Sequence, residues 1–534
     1  MNERFDTLNP VLLFRKLFFA FALIFSVQGA PAATRLKPKL VVGIVIDQFR
    51  YDYLTRFRAD YHSGIDQLLT HGADFTSAYY GQVPTVTAVG HSIFLSGAMP
   101  AVSGIIGNSW YDRDTHESVT SVCDWDFKTV GAPQAAKKAG CTDDDPASPR
   151  RLLVTTFGDE LRLAHPGSKV IGVSRKARAA ILPSGHAAAG AYWFDDETGN
   201  FITSSFYVQQ LPQWAQQFNA KKLPAKYVDR PWPGFPKWNF HPNGKAAPYS
   251  KLAASPWGNE LIEAFAEQAV TGEELGQRGE TDLLTVSFSA NDAVGHGVGP
   301  YAPEVKDMAI RTDQLIGKLF ALLDQKVGMQ NVVVVLSADH GVSATPQQNE
   351  ADKVPGGYLP GGIEEVVTNA LNQSFGNQSW LIQESGETSL YLDPAAIKNA
   401  KVRREDVYQV AREALLAAAQ LHIARVYSRT QLENGVAGDF IAQAEMNGFF
   451  PRRSGDLNIV FDPGYMPGSH GASHFSPYNY DRHVPVLFMG PGIKTGRYDG
   501  AIRPNDIAPT LASMLDVQAP SGSSGRVLTE MLVQ

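Results

Sequence analysis

Aspartates and histidines recur in this sequence beside short apolar runs, in four separated motifs. One motif, Asp-Ala-Val-Gly-His, places a carboxylate and an imidazole four residues apart, on one face if the segment is helical. In chain order the residues are Asp47, Asp292, His296, Asp339, His340 and His474. Carboxylate oxygens and imidazole nitrogens are the ligands expected of a two-metal site without cysteine. The set predicts such a site, with zinc as the expected ion and manganese or iron as the alternatives.

Each of these residues also has an ordinary explanation. An aspartate after a strand is often a helix N-cap, and a single histidine is more often a satisfied polar side chain than a ligand. The joint pattern is more specific, because the same coincidence would have to occur at several strand ends. The repetition therefore favours metal binding.

A threonine at the start of a predicted helix is the candidate nucleophile. Thr87 lies in Pro84-Thr-Val-Thr-Ala-Val-Gly-His-Ser92, and the helix is predicted to run to about Gly97. Free backbone N–H groups at a helix start stabilise an oxyanion, and a neighbouring metal ion would stabilise the alkoxide. A simple N-cap role is the alternative for Thr87, and Thr85 is a second candidate hydroxyl.

Three more side chains are candidates for binding an anion. Asn108 could donate its amide to a phosphoryl oxygen, or it could only stabilise a turn. Lys176 and Arg178 alternate along a segment that we predict to be extended, so both should point the same way. Two neighbouring cations favour an anion between them, although a solvated surface pair is the common alternative.

The elements that would position these residues resemble those of an α/β protein. Short β-branched runs end in polar residues and alternate with helical patterns such as the one from Ala302 to Lys326. The predicted strands are Leu40–Ile46, Lys169–Val173, Leu283–Phe288, Val332–Leu336, Leu457–Phe461 and Val484–Met489. We predict a mostly parallel central sheet flanked by helices, with ligands bound beyond the carboxyl ends of its strands.

Two stretches interrupt this alternation. Residues 200–255 are rich in Pro, Trp and Lys, and residues 350–455 contain helical patterns without a strand that ends in a polar residue. We interpret both as insertions that form cap or side subdomains within one catalytic domain, residues 38–534. They are expected to form the rim of the site.

Composition and the N-terminal segment indicate which partners and which cellular location to expect. The 534 residues carry a net charge of −7, which argues against nucleic-acid and anionic-membrane partners. Arg15 and Lys16 precede an apolar run of 11 residues, shorter than the ~20 needed to cross a bilayer, and Ala-Pro-Ala follows. Residues 1–32 are therefore predicted to be a cleaved signal peptide. In an exported protein, Cys123 and Cys141 are expected to form a disulfide, with a free pair as the alternative.

Together these motifs resemble the alkaline phosphatase superfamily, and within it the alkaline phosphatases that use a threonine nucleophile. The resemblance runs from Lys39 to the Asp506-Ile-Ala-Pro-Thr-Leu segment, with all the metal motifs in the family's order. It implies two zinc ions about 4 Å apart. One ion is expected to bind Asp292, His296 and His474. The other is expected to bind Asp47, Asp339 and His340, with Thr87 beside it as nucleophile and ligand.

The phosphate-binding residues follow from the same resemblance. Asn108 follows Thr87 by 21 residues, as the family's phosphate-binding asparagine does. Lys176 and Arg178 match the Ser-x-Lys-x-Arg element of the monoesterase branch, which the phosphodiesterase branch lacks. The family usually has His-Gly-Ser where this chain has His474-Phe-Ser, and His470-Gly-Ala is a second candidate for the last metal ligand.

The resemblance implies an exported, zinc-dependent hydrolase of phosphate monoesters that forms a covalent phosphothreonine. Its expected substrates are small molecules, its expected location is the periplasm or the exterior, and we expect a monomer that binds neither nucleic acid nor membrane. A phosphodiesterase or nucleotide pyrophosphatase of the same superfamily is the nearest alternative. A non-catalytic relative that binds metal or phosphate is another. A sulfatase is discounted, because neither cysteine lies in a Cys/Ser-x-Pro-x-Arg motif.

Overall fold

A computed structural model describes residues 37–143, 145–238, 248–382 and 388–533. The predicted signal peptide, residues 1–32, lies outside the described residues, as do short parts of both predicted insertions. Within the described ranges, no helix combines the length and apolar character that a membrane crossing requires.

The centre of the structure is a ten-stranded sheet. From one edge to the other its strands are Gly496–Tyr498, Ala73–Phe75, Val486–Met489, Val332–Ser337, Leu40–Ile46, Asp282–Phe288, Val170–Ser174, Gly190–Phe194, Phe201–Ser204 and Thr129–Val130. All run in one direction except Val486–Met489 and Phe201–Ser204. The predicted α/β class with a mostly parallel sheet is confirmed.

Both faces of this sheet are covered because its central strands are apolar throughout. In the strand Leu40–Ile46 every residue is buried, and alternate side chains enter two different hydrophobic clusters. Val42 and Ile44 share one cluster with residues of the helices Gly64–His71, Pro256–Gly272 and Pro303–Lys326. Val41 and Val45 share the other with residues of the helices Thr87–Ser96, Phe157–Ala164 and Ile507–Leu515.

The remaining longer helices surround this core. They are Ala177–Ser184, Gln213–Ala220, Ala290–Val298, Ile363–Phe375, Arg404–Ala417 and Phe440–Gly448. Both helices predicted from the sequence are present. The first begins at Thr87, and the second begins one residue later than predicted, at Pro303, and ends at Lys326.

A separate three-stranded sheet lies within the C-terminal half of the chain. Its strands are Ser389–Leu390, Leu457–Phe461 and Ile423–Ser428. The strand Leu457–Phe461, predicted from its apolar run, therefore pairs outside the central sheet. Two smaller sheets join Ser109–Asp112 to Glu117–Thr120 and Gly357–Tyr358 to Tyr465–Met466.

The expected disulfide is present. Cys123 and Cys141 are bonded, with their Cα atoms 5.8 Å apart. Cys141 also pairs with Val119 in an isolated β-bridge, so the bond ties the chain after the Ser109–Thr120 hairpin back onto that hairpin.

The segment with Lys176 and Arg178 differs from the sequence-based expectation. The strand ends at Ser174 and the helix Ala177–Ser184 begins directly after Lys176. The prediction of an extended segment was wrong, because the alanine-rich run after Lys176 has high helix propensity. Its apolar side chains pack into a hydrophobic cluster.

Strand register brings the predicted ligands together. Ile46 pairs with Phe288 on one side, and Val45 pairs with Ser337 on the other. Asp47 directly follows its strand and donates its N–H to the Phe288 carbonyl at 3.1 Å. Asp292 and Asp339 come shortly after the two neighbouring strands. The site therefore lies at the carboxyl ends of adjacent parallel strands.

The helix that begins at Thr87 touches the backbone of Asp339. A Cβ on Gly90 would lie 2.1 Å from the Asp339 carbonyl oxygen and 2.5 Å from its Cα, too close for any side chain. Glycine at this position therefore permits the approach that brings Thr87 to the strand ends.

Replacement of Gly90 by alanine should push this helix away from Asp339. Because the atoms it would meet belong to the backbone, we expect Gly90→Ala to lower the free energy of unfolding by about 1–3 kcal/mol or more. Chemical denaturation measures the change. Gly500→Ala is the control, since no described heavy atom lies within 4 Å of its added Cβ. Equal stability of the two variants would contradict the interpretation.

Candidate functional site

Two clusters of possible metal ligands meet at the strand ends. The first, called the Asp47 group, consists of Asp47, Asp339 and His340, all fully buried. His340 Nε2 lies 3.5 Å from Asp47 Oδ1 and 3.4 Å from Asp339 Oδ2. One small cation could therefore contact all three side chains.

The second cluster, called the Asp292 group, consists of Asp292, His296 and His474. Asp292 and His296 lie on the helix Ala290–Val298, with His296 Nε2 3.1 Å from Asp292 Oδ1. His474 reaches the same oxygen from a loop, at 3.6 Å. The rings of His340 and His474 stack with centroids 3.5 Å apart, so the two groups are adjacent.

The three histidines are oriented in the same way. In each ring Nδ1 lies close to a backbone carbonyl oxygen: 2.9 Å from Gly341 for His340, 2.7 Å from Ala472 for His296 and 2.8 Å from Thr85 for His474. A carbonyl only accepts, so Nδ1 carries the proton and Nε2 faces the carboxylates. Once Nε2 is deprotonated, imidazoles held in this way direct its lone pair at a metal ion.

Charge and hydrogen bonding at the two groups also fit divalent cations. Asp47 Oδ1 is buried and accepts no hydrogen bond from the described residues. The Lys176 ammonium lies 2.6 Å from Asp47 Oδ2 and 2.7 Å from Asp292 Oδ2. One ammonium does not neutralise the three carboxylates Asp47, Asp292 and Asp339. Bound cations would supply the missing positive charge that burial demands.

Shifted pKa values report the same surplus of negative charge. Burial, together with the carboxylates Asp292 and Asp339, raises the pKa of Asp47 to about 7. Burial opposes ionisation of Asp292 as well, but Lys176 and His296 hold the pKa of Asp292 well below its ordinary value. Burial disfavours the charged form of His474, yet the Asp292 carboxylate outweighs it and raises the pKa of His474 to about 9. A site of this kind attracts cations.

Thr87 is the hydroxyl that lies beside these groups. It is the first residue of its helix, is 2% exposed, and places Oγ1 3.5 Å from His340 Nε2. The hydroxyl of Thr85 instead donates to the Ser476 carbonyl at 3.0 Å. Of the two candidate threonines, the structure brings Thr87 to the ligand groups.

His474 and His470 lie in the same loop, before the strand Val486–Met489, but in different environments. His474 is buried in the Asp292 group, whereas His470 is exposed. Phe475 stands where the superfamily usually has glycine, and its φ of 152° is a conformation that favours glycine. Asp481 holds this backbone by accepting the N–H groups of Phe475 and Ser476 at 3.2 and 2.9 Å. The unusual phenylalanine thus keeps a glycine-like backbone shape after His474.

The three predicted anion-binding residues are close to the ligand groups. Asn108 Oδ1 accepts the N–H of Ala88 at 2.9 Å, so the amide NH₂ is its donor group. Arg178 forms an ion pair with Asp143. Lys176 and Arg178 line one cavity of 250 Å³ although the backbone between them is not extended; among the described residues that line it are neither Thr87 nor Asn108.

Two residues that sequence analysis did not identify contact the ligands. Gln48 reaches carboxylates of both groups. His91 Nδ1 lies 2.9 Å from the Thr87 carbonyl and 3.2 Å from Asp339 Oδ2. The available signals were the position of Gln48 directly after Asp47 and the four-residue spacing of Thr87 and His91 on one helix face.

Comparison with known proteins gives a family for this arrangement. Residues 41–479 match the family described as type I phosphodiesterase / nucleotide pyrophosphatase. The chain belongs to this family. The assignment to the alkaline phosphatase superfamily, made from the sequence motifs, is confirmed by this match and by the relatives that follow.

Two relatives that are similar over nearly the whole chain are named alkaline phosphatases. PhoV of Synechococcus elongatus is 37% identical over 93% of this chain and 94% of its own. PafA of Elizabethkingia meningoseptica is 35% identical over 93% of this chain and 95% of its own. The crystal structure of wild-type PafA matches with a TM-score of 0.85 at 34% identity, covering 93% of this chain and 99% of that one.

The helix Phe440–Gly448 supports the segment that leads to Thr87. Asn447 Nδ2 on this helix donates to the Gly81 carbonyl at 2.7 Å. Glu445, two residues earlier, is 5% exposed, and burial raises its pKa to about 8. We therefore expect ionisation of Glu445 at alkaline pH to destabilise the packing of this helix.

Replacing Glu445 with glutamine should reduce the loss of stability at alkaline pH. The pKa of Glu445 in the fold, about 8, exceeds its ordinary 4.5. Its contribution to stability is therefore complete below pH 4.5 and is lost as pH rises through 8. At about pH 9.5 the free energy of unfolding of Glu445→Gln should exceed that of the wild type by about 1 kcal/mol or more.

Chemical denaturation at about pH 6 and pH 9.5 measures this difference. Glu405→Gln, at an exposed position, is the matched control and should follow the wild type at both pH values. The interpretation would be wrong if Glu445→Gln and the wild type lost the same stability between the two pH values.

Proposed function

We propose that this protein is an exported, zinc-dependent alkaline phosphatase that hydrolyses phosphate monoesters through a covalent phosphothreonine. The observation that carries the proposal is the position of Thr87. Its hydroxyl lies at a helix start, 3.5 Å from His340, beside two adjacent groups of three possible metal ligands. The alkaline phosphatase names of PhoV and PafA support the same activity.

The metal centre would use the two groups as separate binding sites. The Asp47 group, with Thr87 as a further ligand, would hold one zinc ion and the Asp292 group a second, giving two per chain. Nitrogen and oxygen ligands without cysteine suit zinc, with manganese or iron as alternatives. Such a pair of ions supplies Lewis acidity and stabilises negative charge on the attacking and leaving oxygens.

The protein's own residues carry the two substitution steps. Thr87 loses its hydroxyl proton and attacks phosphorus, the bond from phosphorus to the ester oxygen breaks, and the departing alcohol takes up a proton. Water then attacks the phosphorus of phosphothreonine, which releases phosphate and restores the Thr87 hydroxyl. At the start of the Thr87 helix the N–H of Ala88 donates to Asn108 Oδ1, which would hold the Asn108 amide beside the attacking oxygen in both steps.

Asn108, Lys176 and Arg178 would hold the non-bridging phosphoryl oxygens. A monoester dianion presents one more charged oxygen than a diester, in which an alkoxy group replaces it. Charge-assisted hydrogen bonds from Lys176 and Arg178 should therefore favour monoesters, at roughly 1.5–3 kcal/mol each. This pair is the argument against the phosphodiesterase or nucleotide pyrophosphatase alternative, which the family description names.

Export is part of the proposal. Cleavage after residue 32 would release the domain to the periplasm or the exterior, where the Cys123–Cys141 disulfide is stable. The proposed substrates there are small phosphate monoesters.

Loss of the Thr87 hydroxyl should abolish the covalent intermediate. We expect Thr87→Ala to lower kcat for monoesters by more than about a thousandfold, and Thr87→Ser to retain activity, because serine supplies the same nucleophile. Acid quenching followed by mass spectrometry would detect phosphate on residue 87. Thr85→Ala is the matched control and should still form the intermediate. A phosphorylated Thr87→Ala protein would contradict the assignment.

The ratio of monoester to diester hydrolysis tests both the activity and the role of the two cations. Zinc-loaded protein without residues 1–32 should prefer an aryl phosphate monoester over its diester in kcat/KM. Removing Lys176 and Arg178 together should reduce this ratio by about 10²–10⁴, since two contacts of about 1.5–3 kcal/mol are lost. Arg403→Ala is the control, because Arg403 is an exposed arginine that pairs with Asp406 and does not line the cavity of Lys176 and Arg178.

Three outcomes would oppose parts of the proposal. Equal losses on both substrates would exclude the selective role of Lys176 and Arg178. A diester preference in the unaltered protein would assign it to the phosphodiesterase branch. Zinc binding without hydrolysis of either substrate would indicate a non-catalytic relative.

A further inference from the structure

Gln48 connects the two ligand groups. Its backbone N–H donates to Asp339 Oδ1 at 3.1 Å, and its side-chain Nε2 donates to Asp292 Oδ1 at 2.9 Å. The residue is 3% exposed, so neither contact competes freely with water. One residue therefore holds a carboxylate of the Asp47 group and a carboxylate of the Asp292 group.

The backbone at Gln48 is in a conformation that glycine adopts more readily. Its φ is 59°, in the left-handed region that most side chains avoid. A glycine would take this conformation with less strain, but it would provide only the backbone contact to Asp339. A strained residue beside a functional site indicates that its side chain has a use there.

The helix with two ligands of the Asp292 group leaves room for this side chain. A Cβ on Gly295 would lie only 1.9 Å from Gln48 Oε1. Gly295 lies between Asp292 and His296 in the chain, so the absence of a side chain there lets the Gln48 amide reach Asp292. The Gln48 side chain and the helix Ala290–Val298 are thus complementary in shape at Gly295.

An amide differs from an ammonium as a partner of Asp292. Lys176 contacts Asp292 Oδ2 and brings positive charge, which repels a second cation. The Gln48 amide orients Oδ1 without adding a second charge, so it weakens the attraction of the carboxylate for a metal ion less than a second ammonium would. Donors of this kind typically tune the affinity of metal sites.

We propose that Gln48 is a positioning residue that orients Asp292 for metal binding and holds the two ligand groups in register. The inference rests on the proposed metal centre. Because the backbone N–H of residue 48 remains in any variant but proline, loss of the side chain should affect the Asp292 group more than the Asp47 group.

The test is a titration in which zinc is added to the metal-free, folded domain. It compares the wild type with Gln48→Gly and Gln48→Met. Glycine removes the amide and relieves the backbone, whereas methionine removes the amide but keeps the volume. NMR spectra of the histidine rings would follow His296 and His474 separately from His340. We expect zinc affinity at the Asp292 group to fall about 10- to 100-fold in both variants. Affinity at the Asp47 group should change by less than about threefold.

Gln82→Met is the matched control. Gln82 is fully buried, and its side-chain atoms have no hydrogen-bond partner among the described residues. Its loss should leave both affinities unchanged, which separates loss of a buried amide in general from loss of this contact.

Two outcomes distinguish failure of this inference from failure of the proposed function. Wild-type affinity at both groups in Gln48→Gly and Gln48→Met would overturn the role of Gln48 alone. A wild-type protein that binds no zinc at either group would overturn the metal centre, and this inference with it.

Discussion

Buried like charge is the constraint on which this site depends. Parallel strands end side by side, and the residues that follow them bring Asp47, Asp292 and Asp339 together in the protein interior. Carboxylates in this arrangement repel one another, and burial removes the water that would screen them. The fold can hold them ionised only with positive charge between them. Lys176 supplies one charge, and the Nε2 atoms of three imidazoles face the same carboxylates. Metal binding would therefore reduce the electrostatic repulsion between the carboxylates that the sheet brings together.

The segment before Thr87 and the loop that carries His474 are joined to each other by hydrogen bonds. Thr85 donates its hydroxyl to the Ser476 carbonyl, donates its N–H to the Phe475 carbonyl at 3.3 Å, and accepts from His474 Nδ1. Thr87 follows two residues later. A displacement of the His474 loop would consequently move the start of the Thr87 helix as well. The position of the Thr87 hydroxyl and the position of His474 are therefore coupled, although the two residues are 387 positions apart in the chain.

Sequence patterns predicted the parts of this structure that depend on local periodicity and on strand ends. The central strands, the Thr87 helix and the clustering of carboxylates with histidines follow from such patterns. The segment after Lys176 was predicted wrongly. The alternation of Lys176 and Arg178 suggested an extended segment, whereas the alanine-rich run after Lys176 forms a helix. The strand Leu457–Phe461 has an ordinary apolar pattern, and only tertiary pairing shows that it belongs to a separate sheet. For Gln48 the sequence offers only its position directly after Asp47, because its two partners, Asp339 and Asp292, are 291 and 244 positions away in the chain.

The two side chains proposed to distinguish monoesters from diesters, Lys176 and Arg178, are already paired with carboxylates. Lys176 contacts two buried carboxylates and Arg178 is paired with Asp143, so neither offers its full charge to a ligand. The chain as a whole is negative, with a net charge of −7, and does not attract anions from a distance. A preference for dianions then depends on donors held in a fixed orientation close to the phosphoryl oxygens. Buried contacts of this kind are weakly screened by salt. Asp47 and Asp292, which demand cations, also orient Lys176, so the proposed metal ligands and this proposed phosphate contact form one electrostatic unit.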